Sequence, residues 1–300
     1  MKSILYSDKE FGGAEIYVRN LSKKFGVDFV SIKKISFNSL LKIIKNENKV
    51  IFHDLRAACL KFLRPFSKDL IVIHGPGRIK FVTRIIVNFL RLTNSEIVIV
   101  SDDLYKMFNI KFRLTLLRNF SSFSDVSLNN NNKDFIYFGR LESSKGVNNL
   151  VDFWQKKIAG KTLHLIGDGQ LYPKLIKLNN PNIIIHGSLT QNSIKKIIKE
   201  KCRFYISLSP REGLSLSLLE ALSCGLIPLV MNIPTQHFIQ KDYGFELINS
   251  NYTNLARIIN GYSSEKYNFI SNQIIHKFYR YSDEKYFYSF WKKNINNIEL

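Results

Sequence analysis

The sequence predicts an α/β protein built from two doubly wound parallel-sheet domains. Three observations predict it. Short apolar runs alternate with helical stretches along most of the 300 residues, the pattern of parallel strands joined by crossover helices. The alternation breaks once, at the polar, Asn-rich "SSFSDVSLNNNNKD" (121–134), and then restarts, as a linker does. Glycines punctuate strand ends in both halves, at 12–13, 75 and 77, 139, 167 and 169, 187 and 213.

In chain order, "SILYS" reads as a strand and "GGAEIYVRNLSKKF" as the helix after it. "VIFHD" and "LIVIHG" are short apolar runs of buried-strand type. "EIVIVSDD" ends a further strand, and "DDLYKMF" opens a helix. Beyond the polar stretch come the strand "FIYFGR", the helical "NNLVDFW", and the strands "TLHLIGDG" and "NIIIHG". The helical "QNSIKKIIKEK", the strand "RFYISLS", a helix in "REGLSLSLLEALSCG" and the strand "LIPLVMN" follow. Apolar runs this short, bounded by Gly and Asp, suit strands buried on both faces. We divide the chain into a first domain, 1–125, a second, 126–275, and a C-terminal helix, 276–300, placed to cross back to the first. No period of tens of residues recurs, which excludes a solenoid.

The net charge of +20 implies an anionic partner: nucleic acid, a membrane surface or a phosphorylated substrate. Heavy Lys, Asn and Ile usage gives an equal, compositional account of it. Cys59, Cys202 and Cys224 are an odd count without metal-ligand spacing, as expected of reduced thiols in a cytosolic protein. The N-terminus lacks the apolar run of a signal peptide. The most apolar stretch is interrupted by Arg84, Asn88 and Arg91, so it does not read as a membrane span.

Two stretches carry chemistry. In "FGRLESSKG", Arg140 and Lys145 flank a loop after an apolar strand. A planar fork and a point charge there suit a diphosphate; read alone, the loop is a solvated one in a very basic chain. In "REGLSLSLLEALSCG", Leu216 and Ser217 open a helix whose first amides lack internal acceptors and whose dipole favours an anion. Glu212 stands in the preceding loop, and Glu220 lies near the helix stripe that faces the core. A buried carboxylate is costly without a partner, so Glu220 either caps something internal or meets a ligand.

These motifs, in this order, resemble the nucleotide-binding half of the family 4 retaining glycosyltransferases of the GT-B fold. "GGAE" and "VIHGPG" are similar to the glycine loop and histidine loop of the same family's first half. The resemblance implies two Rossmann-like domains facing a central cleft, and transfer of a sugar from a nucleotide-diphospho-sugar donor. It implies that Arg140 and Lys145 bind the donor diphosphate, with Leu216 and Ser217 offering it backbone amides. Glu212 would touch the transferred sugar and Glu220 the ribose. Gly12 and Gly13 would let the backbone approach the diphosphate, and His74 would stand at the sugar. Glu212 and His74 are the candidate catalytic residues. Without the resemblance, His74 reads as a satisfied strand-end histidine. His53 is a weaker candidate. Ser215 replaces the family's usual glycine.

The implied acceptor is a glycan or a lipid-linked saccharide of a bacterial surface polysaccharide. No cofactor is expected beyond the co-substrate donor. No metal is expected either: an Asp-x-Asp triplet is missing and the six histidines show no ligand spacing. Rival readings are a sugar-nucleotide epimerase or inverting transferase of the same fold, and a non-catalytic basic nucleic-acid-binding protein. The last lacks any nucleic-acid motif, so nucleic acid is not the expected partner. An anionic membrane surface is. "GRIKFVTRIIVNFLRLT" (77–93) interleaves cations with apolar residues at helical spacing, as interfacial helices do. A core helix with a solvated basic edge has the same pattern. The expected location is cytoplasmic, peripheral to the inner face of the membrane.

Overall fold

The structure, a computed structural model, describes residues 1–6, 13–75, 85–86, 88–90, 92–100, 114–119, 121, 123, 128–129, 131–212, 215–278 and 284–296. The chain divides into two compact units, Met1–Asn119 with Asp283–Leu300, and Phe120–Ser282. Each contains one wholly parallel sheet.

In the first unit the strands are β1 (Lys2–Leu5), β2 (Asp28–Ser31), β3 (Val50–His53), β4 (Leu70–Ile73), β5 (Glu96–Ile99) and β6 (Leu114–Leu116). Their order is β2-β1-β3-β4-β5-β6. "VIFH" and "LIVI" occupy the middle and are buried at every position, which is why they read as unbroken apolar runs. Ile4 pairs with Val30 on one side and Phe52 on the other. The helices include α1 (Gly13–Phe25), α2 (Phe37–Asn46) and α3 (Asp54–Ala58). α1 buries Tyr17, Val18 and Leu21, one stripe at helical spacing. Ser36 starts α2 by accepting from the Ser39 amide, the usual side-chain cap.

The second unit has β7 (Asp134–Phe138), β8 (Leu163–Ile166), β9 (Ile183–Gly187), β10 (Cys202–Ser207) and β11 (Ile227–Val230), in the order β11-β10-β7-β8-β9. Its helices are α4 (Val147–Lys157), α5 (Tyr172–Leu175), α6 (Gln191–Lys201), α7 (Leu216–Ser223), α8 (His237–Tyr243), α9 (Leu255–Asn260) and α10 (Ser264–Phe278). Phe135 stacks on Phe204 across β7 and β10 at 4.5 Å, and Trp154 of α4 meets Phe135 edge-on. The last helix, α11 (Glu284–Asn296), belongs to the first unit. There Trp291 donates its indole N–H to the Tyr17 hydroxyl at 3.0 Å.

The stretch 121–134 differs from the linker that its composition suggests. Phe123 is 1% exposed and stacks against Phe138. The Asn132 amide donates to the carbonyls of Ile198, Lys199 and Cys202. Both are packing roles inside the second unit, and the unit boundary falls at Asn119/Phe120. The helix expected over "DDLYKMF" lies outside the described residues. So do Arg78, Lys80, Phe81, Arg84 and Arg91 of the 77–93 stretch. Among the described residues, no helix is long and apolar enough to cross a membrane.

Candidate functional site

In the second sheet β7 has β10 on one side and β8 on the other, so the strand order reverses at β7. Open parallel sheets bind ligands beyond the carboxyl ends of the strands at such a point. Two segments leave there, 139–146 after β7 and 208–212 after β10. They touch. Gly146 has φ +70°, and a Cβ on it would lie 2.1 Å from the Leu208 carbonyl oxygen. The loop after β8 is as close: a Cβ on Gly167 would fall 1.9 Å from the Gly139 carbonyl. Only glycine allows these approaches.

The first two loops bring Lys145 and Glu212 together, 67 positions apart in sequence. The Lys145 ammonium donates to both Glu212 oxygens, at 2.8 and 2.7 Å. Thr235 fixes the loop by donating its hydroxyl to the Glu212 carbonyl. Arg140 is held differently. Its Nη1 donates to both oxygens of Glu142 at 2.7 Å, while the Ser144 hydroxyl donates to Glu142. A guanidinium engaged through one nitrogen still has its Nε–Nη2 edge as a fork.

α7 follows. Ser215, in place of glycine, caps it by accepting from the Leu218 amide. Its hydroxyl also bonds Ser217, whose own hydroxyl bonds Tyr205. The Leu216 and Ser217 amides are the first two helix N–H groups, which have no carbonyl inside the helix to reach. α7 buries Leu218, Leu219, Ala221 and Leu222, so Glu220 stands at the margin of that apolar face. Its carboxyl makes no hydrogen bond among the described residues. Burial pushes its pKa up to about 8, with Lys195 pulling the other way.

Gly13 and His74 belong to the first unit. Gly13 opens α1 after β1; Gly12 lies outside the described residues. His53 ends β3, and His74 follows β4. The His53 Nδ1 and His74 Nε2 atoms are 3.1 Å apart, and the rings stack. The outer nitrogens, His53 Nε2 and His74 Nδ1, are buried and have no hydrogen-bond partner among the described residues. Burial lowers both pKa values, that of His53 well below the ordinary range, so both rings are neutral near pH 7.

Sequence reasoning missed three supports here. Asp54 adopts φ +69°, unusual for a residue other than glycine, and its carboxylate accepts from the His74 amide at 3.2 Å. Tyr17 meets both histidine rings edge-on. Trp291 in turn anchors Tyr17. "FHDL" resembles any strand end, and Tyr17 resembles any core residue of a helix. It also missed Glu142, although its place between Arg140 and Lys145 was a usable signal.

A cavity of about 650 Å³ lies elsewhere in the first unit. Lys49, Lys68, Asp69 and Glu96 line it at the amino ends of β4–β6, opposite the ends where parallel sheets bind ligands. Among the described residues, no group of three or more His, Cys, Asp or Glu is placed to hold a metal ion.

Two parallel α/β sheets, each with candidate side chains at its carboxyl ends, define a two-domain protein of doubly wound class. The family model "Glycosyl transferases group 1" matches residues 120–276, over half of the chain, and the chain belongs to that family. Solved structures similar to it are GT-B glycosyltransferases. HepE from Anabaena in complex with UDP-glucose has a TM-score of 0.77 at 15% identity, covering 99% of this chain and 100% of that one. WaaG, a glycosyltransferase involved in lipopolysaccharide biosynthesis, has 0.70 at 12%, covering 100% of both. TarM has 0.64 at 18% over 84% of this chain, which spans only 55% of TarM. At these identities the likeness shows the shared fold. No curated protein sequence gives a match.

Proposed function

We propose that this glycosyltransferase is a retaining, metal-independent enzyme that moves a sugar from a nucleotide-diphospho-sugar to a glycan or lipid-linked acceptor. The observation that carries the reading is the Lys145–Glu212 pair at the reversal point of the second sheet, with the start of α7 and Glu220 close in sequence. In this reading Arg140, Lys145 and the Leu216 and Ser217 amides hold the diphosphate, Glu220 the ribose and Glu212 the sugar hydroxyls. Gly12, Gly13 and His74 serve from the first unit.

In the reaction the bond between the anomeric carbon and the diphosphate oxygen breaks, leaving positive charge on the ring and negative charge on the leaving group. Fixed cations and helix amides stabilise that negative charge. The acceptor oxygen forms its bond on the face the diphosphate leaves, and its proton passes to the diphosphate. We place the enzyme in synthesis of a bacterial surface polysaccharide, in the cytoplasm, held peripherally to an anionic membrane face. Nucleic acid is not a substrate in this reading.

The test is a thermal-shift screen against UDP-, GDP-, ADP- and TDP-sugars, since native-state binding raises apparent stability. The selected donor is then turned over with excess EDTA, and the product anomer is read by NMR. We expect stabilisation by one base, turnover in EDTA and a retained anomer. An inverted product sinks the retaining assignment. Turnover that stops in EDTA and returns with Mg²⁺ or Mn²⁺ sinks the metal-free one.

A further inference from the structure

Residues 61–69, "KFLRPFSKD", are folded with their polarity reversed. Lys61 is fully buried; its ammonium donates to the Arg64 and Ser67 carbonyls and pairs with Asp69 at 2.8 Å. Arg64 also turns inward. It donates to the carbonyls of Ile44, Glu47 and Asn48 and lies 3.0 Å from Asp69. Burying two cations against one carboxylate costs free energy that a solvated loop would not spend. The large apolar side chains among them face outward: Phe62 and Leu63 are each 53% exposed and Phe66 is 85% exposed.

The neighbouring stretch extends this outward face. Phe62 stacks on Phe89, ring centroids 3.6 Å apart. The Asn94 side chain donates to the Phe66 carbonyl at 3.4 Å. Residues 85–86 and 88–90 are helical, with Ile86 and Leu90 buried in the core. Ile85 and Leu92, four before and three after Phe89, are exposed. A surface helix apolar on both sides has a second apolar contact to make.

We propose that Phe62, Leu63, Phe66, Ile85 and Leu92 form one ridge that enters the headgroup–acyl boundary of an anionic bilayer. This rests on the peripheral association proposed above and names the surface that makes it. Charge selects lipid over an apolar protein groove. Of the eight Lys/Arg in residues 55–95, Lys61 and Arg64 turn inward, which leaves six against one acidic residue, Asp69, itself buried and paired. Lys68, two residues after Phe66, is exposed. Apolar insertion with cations at its margin is the mode of interfacial binding.

The experiment uses the full chain and vesicles of phosphatidylcholine with or without phosphatidylglycerol. Wild type should float with the anionic vesicles, and high salt should weaken but not abolish this. Full burial of one such side chain is worth about tenfold or more in a partition constant. The triple variant Leu63→Ser, Phe66→Ser, Leu92→Ser should therefore lose at least about 100-fold, with thermal midpoint and nucleoside diphosphate binding retained. Phe66→Trp supplies a second readout that needs no destabilising change. The native Trp154 and Trp291 are buried, so a blue shift on adding vesicles, and quenching by lipids brominated on the acyl chain, report the new side chain.

Wild type that floats while the triple variant floats equally well overturns the ridge and leaves peripheral association standing. The same holds if Phe66→Trp shows no shift on vesicles that bind it. A lipid-free dimer that the triple variant dissociates, read by light scattering, overturns lipid as the occupant. Wild type that binds no anionic vesicle at low salt overturns peripheral association and the ridge together.

Discussion

Glu220→Gln tests the ribose assignment through pH. The carboxyl has a pKa of about 8 against the usual 4.5 because burial disfavours its charge. Ribose hydroxyls are donors, and an ionised carboxylate accepts from two at once. If that form binds, affinity scales with the ionised fraction of the free protein. The apparent affinity at pH 7 is then about tenfold below its plateau, and at pH 8 about twofold below. Calorimetry with the nucleoside diphosphate chosen by the screen, from pH 6.5 to 9.5, should show wild type gaining about tenfold or more. Glu220→Gln, with no proton to lose, should stay level apart from the phosphate's own titration, which both proteins share. Stability supplies the cross-check. The folded pKa is above the unfolded one, so between pH 4.5 and about 8 the folded state binds the extra proton. Wild type therefore loses stability as pH rises through that window. Glu220→Gln should melt above wild type at pH 9 and level with it near pH 4. Parallel affinity profiles for the two proteins, or wild-type affinity falling with pH, would refute the argument.

Asp69→Asn leaves Lys61 buried without its counter-charge, which should cost about 3–5 kcal/mol in denaturant unfolding of the first unit; a loss below 1 kcal/mol would mean that the carbonyls alone satisfy the ammonium. Glu212→Ala should reduce turnover far more than nucleoside diphosphate affinity, because Lys145 stays to meet phosphate; the two falling together would move Glu212 off the sugar. His53 and His74 are buried neutral with lowered pKa values. The unfolded chain then takes up more protons as pH falls below 6.5, and stability is lost progressively from there toward the folded pKa values. Circular-dichroism melts from pH 7.5 to 5 should show this, less steeply in His53→Gln; superimposable slopes would remove the buried pair from the account.

The interior of the fold was legible and its edges were not. β3, β4, β8 and β10 are buried throughout, so their apolar runs stand out against any neighbour. β2 is half open to solvent, and "DFVS" has too little apolar contrast to mark a strand. β6 is three residues long. Asn132 misled because a polar residue in an Asn-rich run reads as solvated, whereas its amide closes three carbonyls. In the candidate site, Lys145 and Glu212 could be named from their motifs. That they would grip each other could not, because their meeting depends on the strand order that sets β7 beside β10. Asp54 was invisible for a related reason: its role follows from a backbone angle, and residue type does not encode one.

The Lys145–Glu212 pair also bears on selectivity. At rest the Lys145 ammonium holds both Glu212 oxygens, and with three donors an ammonium can meet an anion without releasing the carboxylate. In the proposed reading, a ligand carrying diphosphate at one end and sugar hydroxyls at the other meets both members of the pair in one binding event. In that reading the sugar hydroxyls share Glu212 with Lys145, so a nucleotide sugar gains a contact that a bare nucleoside diphosphate lacks.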